Sequence, residues 1–346
     1  MNDEIKTINE SELFMKYKSS YTSAFLDFSI HIFLLCSSFY SLWYFRDSWF
    51  NVFTIPILGE MIGRTFVIFH DCGHNSYTPS KTINYIIGTI TGIIVLHPFY
   101  WGTRHYTHHL TSGNTNNSYN FQFNEIIFHS LRQYKEFSFV KRKMYRWLRT
   151  PQIFLLLVIF KVIMLERVSF IKTYMKKLYI TSPLYIIIIH QIINNCGLYV
   201  IMYCMTQLQI LHLYIYGVMW YVIKLFIFFN AQHTYNPPYI VGNKEWTQRN
   251  SGLLGSSFLQ IPIFYKYFSM GIEYHHIHHI NAKIPGYNLH KYHEEVISKS
   301  NMFDNVVKLS MTDCYNNLWF VLYDEDKKLY ITFAEADEEI RKEKYM

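Results

Sequence analysis

Charge is scarce in this chain: only 16% of its 346 residues are Asp, Glu, Lys or Arg, whereas 50% are hydrophobic and 19% aromatic. A typical soluble domain carries charge on about a quarter of its residues, so this composition argues against one. Cysteine is scarce as well. The five, Cys36, Cys72, Cys196, Cys204 and Cys314, are odd in number and show no C-x-x-C spacing, which indicates neither a disulfide framework nor a Cys-based zinc or iron–sulfur site. Also missing are the H-P-G-G haem motif of a fused cytochrome b5, the G-x-G-x-x-G flavin fingerprint, any Ser-His-Asp or Cys-His ordering, internal repeats and low-complexity linkers. The chain therefore carries no redox carrier of its own and no nucleophile machinery.

What is present is apolar and long. Residues 24–45 and 53–69 read as two membrane spans joined by a short turn, and 178–203 and 209–230 as a second pair. Lysine and arginine orient them: of 32, only Arg46 falls in the expected far-side loops 46–52 and 204–208, while residues 132–149 alone hold seven. The expectation is an all-α integral membrane protein with two helical hairpins and a helical cytosolic cap, both termini being cytosolic. The first 23 residues are polar and acid-bearing, so no cleavable signal is expected there and the first span is expected to serve as the insertion signal. Two further apolar stretches, 83–100 and 152–165, are read as interfacial or re-entrant, because either one alone as a span would put parts of the site on opposite sides. Residues 302–346, with LWFVLYDEDKKLYITF ahead of a charged end, are expected to pack on the cap after a main domain of 1–301. The formal charge of +7 fits basic loops against anionic headgroups better than nucleic acid, since no recognition motif organises the lysines.

Nine of the 17 histidines lie in three five-residue windows, and eight of these stand at helical ligand spacing: His70 and His74 in HDCGH, His105, His108 and His109 in HYTHH, and His275, His278 and His279 in HHIHH. Spacings of three and four place such rings on one helix face, the way a helix presents metal ligands. Neutral imidazole suits iron, copper or zinc, and eight rings exceed what one tetrahedral zinc uses, so the count favours two metals.

These three motifs, in this order between two pairs of spans, resemble the three histidine boxes of the membrane fatty acid desaturases. The resemblance runs from about Phe53 to His293. The flanking segments RTFVIFHDCGHNSY and GIEYHHIHHINAKIPGYNL are most similar to the acyl-lipid branch, the Δ12 or ω-6 type and its bacterial relatives. The resemblance implies a diiron oxidase that uses O2 and two electrons to place a cis double bond in a fatty acyl chain. It also implies a further ligand between the second and third boxes, where His233 in FFNAQHTYN follows the last span.

Neighbouring residues suggest how the rings are held. Asp71 beside His70 and Glu273 two residues before His275 are expected to take the other ring N–H, and Asn230 to hold a water near His233. His276, one residue from His275, is expected to point away and be replaceable. His97, His190 and His212 read as buried structural histidines, and His31, His129, His290 and His293 stay outside the site. Glu60 and Arg64, spaced i, i+4 inside the second span, are expected to pair with each other. Phe99, Tyr100, Trp101 and Tyr106 supply the aromatic surface that both an acyl channel and a membrane interface use.

Breaking an unactivated C–H bond needs a high-valent metal rather than an acid, base or nucleophile, which favours iron over zinc. The expected activity is desaturation of a lipid-linked chain, one that already carries a double bond. A hydroxylase, acetylenase or ketolase on the same scaffold shares every residue argument. A zinc-dependent hydrolase would need only about three ligands and a catalytic carboxylate, and a metal transporter would want polar groups lining its spans. The last two spans hold no carboxylate. Electrons must come from a separate partner, cytochrome b5 in an endoplasmic reticulum membrane or ferredoxin in a plastid or bacterium, docking on the basic 132–149 segment or the cap.

Overall fold

The computed structural model describes residues 9–115, 122–123, 126–170 and 183–345. Four of the described helices are long and apolar enough to cross a membrane: Tyr21–Tyr44, Asn51–Gly73, Leu184–Gln207 and Leu211–His233. At 23 or 24 residues each measures about 35 Å, against about 30 Å of hydrocarbon. All four expected spans fall on these helices, except that residues 178–182 of the third lie outside the described residues. The second helix also runs on through His70 to Gly73, so the first box is its last turn.

Burial separates their roles. In the second long helix 72% of the apolar window is buried, against 22% for the first and third and 39% for the fourth. The second is therefore the hub: it packs against the first and fourth, with Leu58, Ile62, Val218, Tyr221 and Val222 among the buried side chains between and around them. A hub helix shows water or lipid little of its surface, which explains why it tolerates Glu60 and Arg64 only with partners.

Both ambiguous stretches form short helices, Lys81–Ile94 and Pro151–Ile163, of 14 and 13 residues. Neither reaches the ~20 residues that a span requires. The first is capped by Ser80, whose hydroxyl accepts from the Ile83 N–H, and ends where Leu96 takes a positive φ of 63°. There the chain turns back into the second-box helix, Trp101–Thr111.

The all-α expectation is corrected by short strands. His129–Ser130 pairs in parallel with Leu322–Asp324, which pairs antiparallel with Leu329–Ile331. Phe258–Gln260 runs parallel to Lys308–Ser310. The alternating Leu-Tyr and Leu-Tyr-Ile segments around the Asp-Glu-Asp-Lys-Lys turn have strand chemistry, which an assignment keyed to long apolar helices passes over. These ladders tie the C-terminal tail to the middle of the chain. The Asn236 side chain adds to them, accepting from the Tyr330 N–H at 2.8 Å and donating to its carbonyl at 2.9 Å.

Candidate metal centre

Three helix ends converge on one place. The last turn of Asn51–Gly73 supplies His70 and the residue after it, His74; Trp101–Thr111 supplies the second box; the short helix His275–Ile280 supplies the third. Gly73 and Gly102 are where the first two meet. A Cβ on Gly102 would stand 3.1 Å from the Gly73 Cα, a contact that only glycine makes without displacement. The segment after the third box closes the site from the other side, with the Gly286 N–H donating to Asp71 Oδ2 at 2.6 Å and Lys283 Nζ to the His74 carbonyl at 2.5 Å.

The nine histidines named above as candidate ligands form two buried groups: His70, His74, His105, His109 and His278 in one, His108, His233, His275 and His279 in the other. Within each group one nitrogen from each ring lies within 4.8 Å of those of the others. The boxes are not assigned one to a metal. His105 and His109, four apart, share the first group while His108 turns to the second; His275 and His279 share the second while His278 turns to the first.

Donor chemistry supports a cation at each group. In the first, Nε2 of His105 lies 2.8 Å from His70 and 3.0 Å from His109, which is 2.9 Å from His278. In the second, His233 is 2.9 Å from His275 and 3.2 Å from His108. Two ligands at right angles on a metal with ~2.1 Å bonds would be about 3 Å apart. The tautomers agree with this: His233 Nδ1 faces the Gly255 carbonyl at 3.0 Å. A carbonyl only accepts, so Nδ1 carries the proton and Nε2 presents its lone pair to the group. His74 Nε2 is buried without a hydrogen-bond partner among the described residues. Burial, then the charge of neighbouring rings, holds His74, His105, His109, His275, His278 and His279 well below the ordinary imidazole range, so they stay neutral, the form that binds metal.

Of the expected supporting residues, Asp71 lies against its histidine, with Oδ1 3.2 Å from His70 Nδ1. Glu273 does not reach His275. It sits in the 3₁₀ turn Ile272–Tyr274 with its carboxyl toward Ser269, and both Glu273 Oε2 and His275 Nδ1 are buried without a hydrogen-bond partner among the described residues. Asn230 is directed elsewhere too, donating to the Asn317 carbonyl at 3.3 Å, because it sits on the side of its helix that the C-terminal segment covers. The supports that residue types did not reveal are backbone contacts: the Gly255 carbonyl on His233 and the His279 carbonyl, which accepts from Gln248 Nε2 at 2.8 Å. No side-chain signal marks a carbonyl.

The Glu60–Arg64 pair is not formed. Glu60 accepts from Lys224 Nζ at 2.6 Å, Trp220 Nε1 at 2.8 Å and Tyr265 OH at 2.6 Å; Arg64 pairs with Asp27 at 2.5 Å and donates to the Tyr267 carbonyl at 3.0 Å. On a hub helix the neighbouring helices offer better geometry than the residue one turn away.

A cavity of about 490 Å³ adjoins the centre. Its walls include Phe66, Trp101, Tyr221 and Phe229, and it meets both groups, through His70 and His105 on one side and His108 and His275 on the other. Trp101 lies flat on His105, centroids 4.6 Å apart and planes at 11°. Its sequence neighbours do other work: Tyr100 hydrogen-bonds Gln191 at 2.8 Å, Phe99 packs against Phe69, and Tyr106 is exposed. His97 lines the cavity with Nδ1 on the Val95 carbonyl at 2.7 Å; His129, set outside the site by sequence, lines it too.

Residues 47–305 match the family described as fatty acid desaturase. The chain belongs to that family. It is 27% identical over 300 residues to a fatty acid desaturase of Bacillus subtilis, covering 80% of this chain and 76% of that one. Shorter stretches are similar to desaturases whose names give a bond position. One is the sn-1 acyl-lipid omega-3 desaturase (ferredoxin) of Synechocystis, 41% identical over 83 residues and 23% of each chain. Another is the endoplasmic reticulum omega-3 fatty acid desaturase of Nicotiana tabacum, 40% identical over 70 residues, 20% of this chain and 18% of that one.

Proposed function

We propose that this protein is an O2-dependent desaturase of lipid-linked fatty acyl chains, with two irons held by His70, His74, His105, His109 and His278 and by His108, His233, His275 and His279. The observation that carries this reading is the aromatic-walled cavity bounded by histidines of both groups. When bound, the iron pair would supply the oxidising power for removing two hydrogens from a saturated C–C unit, with O2, two electrons and two protons consumed and two waters formed.

The protein's share is positioning. The cavity wall of Phe66, Trp101, Tyr221 and Phe229 holds an extended chain in register and keeps bulk water away. Asp71 and the Gly255 carbonyl fix the proton on the outer nitrogen of His70 and His233, leaving the inner nitrogen to bind. Trp101 keeps the His105 ring from rotating.

The segments around the boxes suggest the Δ12 or ω-6 type, whereas the relatives named for a bond position are omega-3 enzymes. Both insert the bond on the methyl side of an existing one, so a monounsaturated or diunsaturated lipid-linked chain is the proposed substrate. Electrons arrive from a separate ferredoxin or cytochrome b5. The two hairpins, with termini and site on the cytosolic face, follow from the placement of lysine and arginine.

The test is gas chromatography–mass spectrometry of total fatty acids from yeast expressing the chain, with and without a co-expressed ferredoxin pair, beside His108→Ala at equal protein level. New double bonds absent from the control support the reading. Hydroxylated products, or an unchanged profile from iron-loaded protein with either donor, would overturn it.

A further inference from the structure

Away from the histidines, the same cavity holds a buried cation that has no counter-charge among the described residues. Arg149 is 6% exposed and lines the cavity together with His129 and Tyr145. Its Nε is buried without a hydrogen-bond partner among the described residues, and one terminal nitrogen donates to the Phe320 carbonyl at 3.3 Å. The guanidinium lies over the rings of Phe128 at 4.8 Å and Phe154 at 4.4 Å. Ring faces and one carbonyl soften its charge but do not neutralise it. Among the described residues the cavity wall offers one carboxylate, Glu166, and Arg104 holds it with two contacts of 3.1 and 3.2 Å.

Placement indicates the source of the missing anion. Arg149 caps the C-terminus of the helix Phe139–Leu148, on which Phe139, Val140, Met144 and Trp147 are exposed among exposed Lys141 and Lys143. After it begins the apolar helix Pro151–Ile163, with Leu156 and Phe160 exposed. Basic and aromatic on one side of Arg149 and aliphatic on the other, the chain changes chemistry as a membrane does at the headgroup level. A guanidinium there presents a fork suited to two oxygens of one phosphate.

We propose that Arg149 receives the phosphate of a glycerophospholipid whose acyl chain occupies the cavity. This names the substrate class of the site and rests on the reading of the protein as an acyl-lipid desaturase. A neutral glycolipid has no group for this position, so Arg149 makes the enzyme prefer phospholipids.

The test uses the purified full chain in detergent, comparing its affinity for a phosphatidylcholine and for the diacylglycerol with the same two chains. The expected result is at least about tenfold tighter binding of the phospholipid by the native protein. That preference falls to within about twofold in Arg149→Gln and is largely kept in Arg149→Lys. If Arg149→Gln does not fold, the native comparison and the lysine variant still decide. Equal affinity for the two lipids overturns the assignment, as does a preference unchanged in Arg149→Gln. Displacement of the phospholipid by millimolar inorganic phosphate alone would make this a free-phosphate site instead. Failure of the desaturase reading looks different: an unchanged fatty acid profile with the phospholipid preference intact.

Discussion

His105 and His108 stand three residues apart on one helix and serve different groups. His105 Nε2 is 2.8 Å from His70, whereas His108 Nε2 is 3.2 Å from both His233 and His279. A helix turns about 100° per residue, so rings at i and i+3 diverge by enough to straddle two positions, while His105 and His109 at i and i+4 stay on one. The second-box helix is thus the partition between the groups.

One consequence concerns metal count. His108→Ala is expected to lower bound iron from about two toward about one per chain, since it opens the four-histidine group and leaves the five-histidine group whole. His105→Ala opens the other group. Iron analysis of the two purified variants checks this; loss of all iron in both would mean one indivisible site.

Asp71 acts through His70 and also accepts from the Gly286 N–H. Asp71→Asn removes the charge and keeps the shape. The expected effect is a 10- to 100-fold loss of metal affinity by chelator competition, with a smaller fall in thermal stability. Unchanged affinity with lowered stability would reduce Asp71 to a structural strap.

The partner of Glu60 is Lys224, not Arg64. Lys224→Met should therefore destabilise the protein by about 3 kcal/mol, because it strands a buried carboxylate. Lys224→Met with Glu60→Met should recover much of that. Thermal melting in detergent distinguishes the outcomes: a neutral Lys224→Met would contradict the contact.

Much of this centre was legible in sequence because its information is carried by a distinctive side chain at helical spacing. Three windows of histidine name the residues, and His233 sits at the end of an apolar run. Partition between the groups was not legible, because ligands four apart share a group and those three apart do not, a difference that only three helices in contact can resolve. Glu60 and Arg64 illustrate the same limit: the i, i+4 spacing permits a pair, and Asp27 and Lys224 on neighbouring helices outcompete it. Glu273 was misplaced because a 3₁₀ turn precedes its box, so helical spacing did not apply. The strands of the tail were hidden by their brevity, each of three residues or fewer.

His276 was expected to be replaceable, and its ring does face away from both groups, toward Phe303 at 4.7 Å and His293 at 5.5 Å. It is also fully buried. His276→Ala is expected to cost about 2–4 kcal/mol of stability by leaving a cavity while the folded fraction keeps its full iron. Iron loss without a change in melting temperature would place His276 in the metal centre instead.

The most direct measurement is the metal content of the purified native chain by inductively coupled plasma mass spectrometry. Two iron atoms per chain, with His108→Ala retaining about one, is the predicted result. One metal per chain, or zinc in place of iron, would contradict the account.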